Sequence, residues 1–158
     1  MKLSDYDTII FDLDSTIWTG CENQYWGKKL ISPLTIKDRK IIGSDGKYVE
    51  FHENVKQVLS LLTDQNKNIG FLTLGGLLTV EYDDEPVIKC LKIYDVYKYF
   101  NHQKTVLYRT DLKSRHIQHL GKTIFIDDSE EVLRDIRNNC PTVKVLNRNE
   151  FNNWGELI

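Results

Sequence analysis

Two short apolar runs that each stop at an aspartate constrain this chain more than any other feature. Thr8-Ile9-Ile10-Phe11 carries no polar alternation and ends at Asp12, and Thr123-Ile124-Phe125-Ile126 ends in the same way at Asp127. A strand with one wet face alternates, whereas a strand covered on both faces does not, so these runs predict central strands of a parallel sheet. Asn68-Ile69-Gly70-Phe71-Leu72-Thr73 reads the same way, and Thr105–Tyr108 and Val143–Leu146 are weaker strand candidates.

Helical spacing separates the strands. Val55, Val58, Leu59 and Leu62 fall at i, i+3, i+4 and i+7, an apolar stripe. A second helix is expected from about Asp84, with Pro86 in its first turn and Val87, Ile88 and Leu91 inside. Asp111 is expected to cap a short helix bearing Ile117 and Leu120, closed by Gly121. Ser129 is expected to cap another, with Glu130 and Glu131 at its positive end and Val132, Leu133 and Ile136 facing inward. Alternating strands and helices imply an α/β fold: a single Rossmann-like three-layer domain over residues 1–158, with a central parallel sheet and right-handed crossovers. Residues 19–52 break the alternation. Asp45-Gly46 between two β-prone runs signals a hairpin, so this segment reads as a small β-hairpin flap over the strand ends. Phe151, Trp154 and Leu157 are expected to dock the C-terminus on the body.

Several function classes drop out on composition. A net charge of −2 gives no overall pull toward nucleic acid or an anionic membrane. The longest stretch without a charged side chain, Asn68 to Val80, is shorter than the ~18 or more apolar residues of a membrane span. Asp5, Asp7 and Asp12 do not suit a signal peptide. Cys21, Cys90 and Cys140 are far apart and odd in number, fitting neither a metal knuckle nor a disulfide framework, and a cytoplasmic setting is the expectation. His116 and His119 lack a third ligand for zinc, and with His102 they are expected to be solvated.

The chemistry lies at the strand ends. In an open parallel sheet, ligands bind beyond the carboxyl ends of the strands, near the point where strand order reverses. Asp12, Asp14 with Thr16, Thr73, Lys113 and the Asp127-Asp128 pair all fall just after apolar runs or at a helix start. Converging carboxylates without cysteine or histidine suit a hard, oxygen-seeking cation, Mg²⁺ above all. A lysine and a hydroxyl beside it suit the remaining oxygens of a phosphoryl group. The size of the barrier demands such an ensemble. Enzymes lower phosphate-monoester hydrolysis by more than ~20 kcal/mol, while one acid–base residue supplies roughly 3–5 kcal/mol.

The run Phe11-Asp12-Leu13-Asp14-Ser15-Thr16-Ile17-Trp18 resembles the first motif of the haloacid dehalogenase (HAD) phosphatase superfamily. Thr73, Lys113 and Asp127-Asp128 fall where that superfamily places its second, third and fourth motifs. Together with the Asp-Gly hairpin and Tyr97-Lys98-Tyr99-Phe100, the chain most resembles its small, capless magnesium-dependent phosphatase group. The resemblance implies Asp12 as nucleophile and Mg²⁺ ligand, and Asp14 as general acid and base with its backbone carbonyl on the metal. It implies Thr73 on a phosphoryl oxygen, Lys113 as charge balance, Asp127 on Mg²⁺ and Asp128 in support. Lys104 competes with Lys113 for the third motif. Gly75-Gly76 departs from the group, which more often has a larger polar or aromatic residue there.

The expected activity is therefore a Mg²⁺-dependent phosphomonoesterase forming an aspartyl-phosphate, with a phosphorylated small molecule, sugar or tyrosine-phosphorylated protein as substrate. The alternatives are a nucleic-acid 3′-phosphatase, a phospho-receiver domain and a binding protein on a HAD scaffold. Receivers place the acidic pair first, the reverse of the order here, and no basic aromatic groove supports a nucleic-acid partner. Trp18, Tyr25 and Trp26 read either as packing that holds the flap down or as its substrate-facing wall.

Overall fold

The computed structural model describes residues 1–20, 30–76 and 80–158. Cys21, Tyr25 and Trp26, the rest of the 21–29 part of the flap, and loop positions 77–79 lie outside the described residues. The fold is α/β, with a five-stranded parallel sheet and a separate four-stranded antiparallel sheet.

The parallel sheet contains β1 (Thr8–Phe11), β6 (Asn68–Gly76), β7 (Lys104–Tyr108), β8 (Thr123–Asp127) and β9 (Lys144–Asn147), in the order β7-β6-β1-β8-β9. β1 is central. It pairs with β6 through Thr8↔Asn68 to Phe11↔Phe71, and with β8 through Thr8↔Thr123 to Phe11↔Ile126. Every residue of β1 and β8 is buried, because each strand feeds two cores. Ile9, Phe11, Ile69, Phe71, Ile124 and Ile126 belong to one core with the helix stripe, and Ile10, Leu72 and Phe125 join Leu133 and Ile136 in the other. Burial on both faces is the physical reason the sequence shows no alternation there.

Among the described residues, three α-helices fall between the strands. In α1 (Val55–Asp64), Val55, Val58, Leu59 and Leu62 are buried, as their spacing requires. α2 (Pro86–Ile93) starts two residues later than the sequence suggests. Asp84 ends a separate 3-10 turn, Tyr82–Asp84, and Pro86 takes the first helical position, where its missing N–H costs nothing. In α3 (Glu130–Asn139), the Ser129 hydroxyl accepts from the Val132 amide and caps the helix, while Leu133 and Ile136 are buried and Val132 is half-buried. The helix expected after Asp111 is absent. Only a single 3-10 turn, Lys113–Arg115, forms there, and Leu120 is exposed. Asp111 spends its carboxylate on the Leu112 amide (2.8 Å) and on His116 (2.9 Å), too early and too locally to start a helix.

The flap segment is more than a hairpin. β2 (Trp18–Gly20), β3 (Thr35–Lys37), β4 (Lys40–Ile42) and β5 (Tyr48–Phe51) form the antiparallel sheet in the order β2-β5-β4-β3. The Asp45-Gly46 turn closes β4 onto β5, with Gly46 at φ +84° and the Gly43 amide donating to the Lys47 carbonyl at 2.8 Å. Ile41, Val49 and Phe51 join the core cluster that contains Ile9, so this sheet is seated on the body. Phe151, Trp154 and Leu157 are buried in the same cluster, with Trp154 against Phe11 at 5.4 Å between ring centroids. No helix among the described residues is long and apolar enough to cross a membrane.

Candidate active site

The strand order fixes where the chain's acidic residues meet. Connections run from β1 outward to β6 and β7 on one side, then return to β8 and β9 on the other, so the order reverses beside β1. That reversal leaves a crevice at the carboxyl ends of β1 and β8. Asp12 follows β1, and its amide donates to the Ile126 carbonyl at 2.8 Å, which extends the ladder by one residue and fixes it beside β8. Asp127 is the last residue of β8. Asp12, Asp14, Thr73, Lys113, Asp127 and Asp128 all line one cavity of about 250 Å³.

Lys113 joins the two carboxylates at the bottom. Its Nζ donates to Asp12 Oδ1 at 2.6 Å and to Asp127 Oδ2 at 2.7 Å. All three side chains are buried, at 3% exposed for Lys113 against 8% and 2% for its partners. The outer oxygens are held as well: Thr16 Oγ1 donates to Asp12 Oδ2 at 3.1 Å, and the Ser129 amide donates to Asp127 Oδ1 at 2.9 Å. The 3-10 turn that carries Lys113 is tied toward α3 by the Cys140 thiol, which donates to the Ser114 carbonyl at 3.3 Å. Lys104, the competing lysine, is exposed at the start of β7 and stands over the Tyr97 ring, away from this cluster.

The cluster is short of positive charge. Two buried carboxylates face one ammonium, and Asp128 stands half-buried beside them. The Asp12 carboxyl is raised to about 8: burial is the largest cause, Lys113 works against it, and the Asp127 charge adds to it. Burial acts to lower Lys113, but the charges and hydrogen bonds of Asp12 and Asp127 outweigh it and hold the ammonium above its ordinary value. Asp128 is raised to about 6, first by burial and then by Asp127. Either a proton or a cation relieves such a site. Asp12, Asp127 and Asp128 each offer a carboxylate oxygen, all within 4.8 Å of one another, an all-oxygen donor set of the kind a hard divalent cation takes.

Asp14 is positioned differently. Its Oδ1 accepts from the indole Nε1 of Trp18 at 2.8 Å, and Trp18 is fully buried, edge-on to Phe51 at 5.1 Å between ring centroids. Of the two roles open to Trp18, packing is the one the structure gives it, with the orientation of Asp14 added. Sequence reading missed both this bond and the Thr16–Asp12 bond, although each was signalled by i, i+4 spacing, Asp12 to Thr16 and Asp14 to Trp18. The turn between is closed by Thr16 and Ile17 amides on the Leu13 carbonyl, with Ser15 at φ +60°. Thr73 is 1% exposed on β6, and the strand continues past it through a bulge between Leu74 and Gly76, with Gly75 at φ +102°. His119 is exposed, as expected, whereas His102 bonds the Gln118 carbonyl at 2.6 Å and His116 pairs with Asp111, and both are half-buried.

No protein-family model matches the chain, and no curated protein matches it.

Proposed function

We propose that this chain is a Mg²⁺-dependent phosphomonoesterase of the HAD kind, a cytoplasmic single Rossmann-like three-layer domain whose antiparallel sheet stands in place of a cap domain. The observation that carries the reading is the buried Asp12–Lys113–Asp127 cluster beneath an open cavity. A buried ion cluster is weak support for stability, because apolar residues of similar volume often serve a core as well or better. Perturbed, convergent titratable groups in a cleft favour chemistry instead.

The donor set fits a magnesium ion. Asp12, Asp127 and Asp128 would hold it by carboxylate oxygens and Asp14 by its backbone carbonyl, with water completing the shell. When bound, the ion supplies charge neutralisation at the phosphoryl oxygens and at Asp12. The chain's own residues do the rest. An Asp12 oxygen attacks phosphorus, and the bond from phosphorus to the ester oxygen breaks as Asp14 gives that oxygen its proton, releasing an alcohol or phenol. Asp14, now a carboxylate, takes a proton from water, whose oxygen attacks the aspartyl-phosphate. The bond from phosphorus to the Asp12 oxygen then breaks, inorganic phosphate departs and both carboxyls are restored. The Trp18 indole holds Asp14 in place through both halves, Lys113 offsets charge on the nucleophile, and Thr73 donates toward a phosphoryl oxygen.

The test is turnover of an aryl phosphate with Mg²⁺ or with chelator, for the wild-type chain and for Asp12→Asn. Activity that needs Mg²⁺ and vanishes in the variant is expected. Activity that survives in Asp12→Asn removes the covalent mechanism, and a stable acyl-phosphate without turnover returns the chain to the receiver class.

A further inference from the structure

A second, larger cavity adjoins the phosphoryl pocket. It has a volume of about 550 Å³ and shares Leu74, Lys113, Ser129 and Val132 with the first, so the two lie side by side. A molecule with phosphorus at Asp12 has this space for the group it gives up. The shared wall is apolar at Leu74 and Val132. The second cavity is also lined by three acidic residues, Asp111, Glu131 and Asp135, and by Arg109. Lys113 adds no free positive charge there, because both Asp12 and Asp127 already claim it. Arg115 offsets part of the Asp111 charge, and His116 adds to this only when protonated, which leaves acidic charge in excess.

From this wall we propose that the cleft between the Arg109–Lys113 segment and α3 is the leaving-group subsite, and that it selects a leaving group with an apolar body carrying a positive charge. The proposal rests on the phosphomonoesterase reading and adds a substrate class to it. A polyanionic leaving group, such as a nucleic-acid strand, meets an excess of like charge in the same place. An aliphatic or aromatic amine meets both apolar contact and carboxylates.

The experiment compares three phosphate esters of near-equal leaving ability, those of tyramine, para-ethylphenol and para-hydroxyphenylpropionic acid, which are cationic, neutral and anionic beyond the ring. With the full chain and Mg²⁺, kcat/KM is expected to fall in that order, with about five- to tenfold between the first and last at moderate salt. Glu131→Gln with Asp135→Asn should flatten the series, and Arg109→Gln should steepen it, opposite shifts that loss of structure does not produce. Equal kcat/KM for all three, or preference for the anionic ester, overturns the cleft assignment while leaving the hydrolase reading intact. Turnover of none of them overturns the hydrolase reading, and the cleft assignment falls with it.

Discussion

Replacing Lys113 by methionine keeps most of its volume and apolar stem but removes the ammonium that joins Asp12 to Asp127 at 2.6 and 2.7 Å. Two carboxylates then share a buried site with no counter-charge, and removing one partner from a buried ion set costs about 3–5 kcal/mol. For a chain of this length, 1 kcal/mol moves the melting temperature by roughly 2–4 °C, so Lys113→Met should melt about 6–20 °C below wild type in chelator at a pH above the value of about 8 to which the folded Asp12 is raised. Urea unfolding followed by circular dichroism gives the free energy directly. Adding Asp12→Asn should return part of the loss, with a coupling of about 0.5–3 kcal/mol, because it removes one of the two stranded charges. Magnesium should recover more stability in Lys113→Met than in wild type, since the vacated charge deepens the ion's well. A loss under about 1 kcal/mol, or a double variant whose effects simply add, refutes the claim that these three groups form one electrostatic unit.

Three further outcomes are expected. In chelator, wild-type stability should fall as pH rises from about 4 toward 8: the folded Asp12, raised to about 8, and Asp128, raised to about 6, hold protons that the unfolded chain has released, and this advantage is lost as pH climbs through the folded values. Denaturant titrations at several pH values check this, and the slope should shrink in Asp12→Asn and in saturating Mg²⁺. Trp18→Phe keeps the ring packing but deletes the donor to Asp14; a hydrogen bond to a charged group is worth about 1.5–3 kcal/mol, so single-turnover rates should drop roughly 10–100-fold with KM little changed. Gly70→Ala sets a Cβ 2.9 Å from the Gln103 backbone oxygen between β6 and β7, and should cost about 1–3 kcal/mol in urea unfolding while disturbing the strand that carries Thr73.

The parts of this molecule legible in its sequence are those where one physical requirement dominates. Doubly covered strands must be apolar throughout, so β1 and β8 announced themselves, and with them the aspartates at their ends. The α1 stripe and the Ser129 cap were equally plain, because spacing and a single hydroxyl decide them. Asp111 misled because an aspartate before a polar stretch can cap a helix or close its own turn, and its near neighbours, the Leu112 amide and the His116 ring, draw it into the turn. The four-stranded sheet was underestimated because β2 and β3 are three residues each, too short for periodicity to register. Lys113 could not be told from Lys104 by spacing. Its burial depends on a turn docked against α3, a contact between distant parts of the chain.

The seam between β1 and β8 has a consequence for biosynthesis. β1 is synthesised well before β8, so the parallel pairing that seats Asp12, from Thr8↔Thr123 to Phe11↔Ile126, has no second strand to use until growth has passed position 127. In nascent and truncated products Asp12 and Asp127 are therefore not yet brought together, and the same closure that completes the sheet also assembles the carboxylate cluster around Lys113.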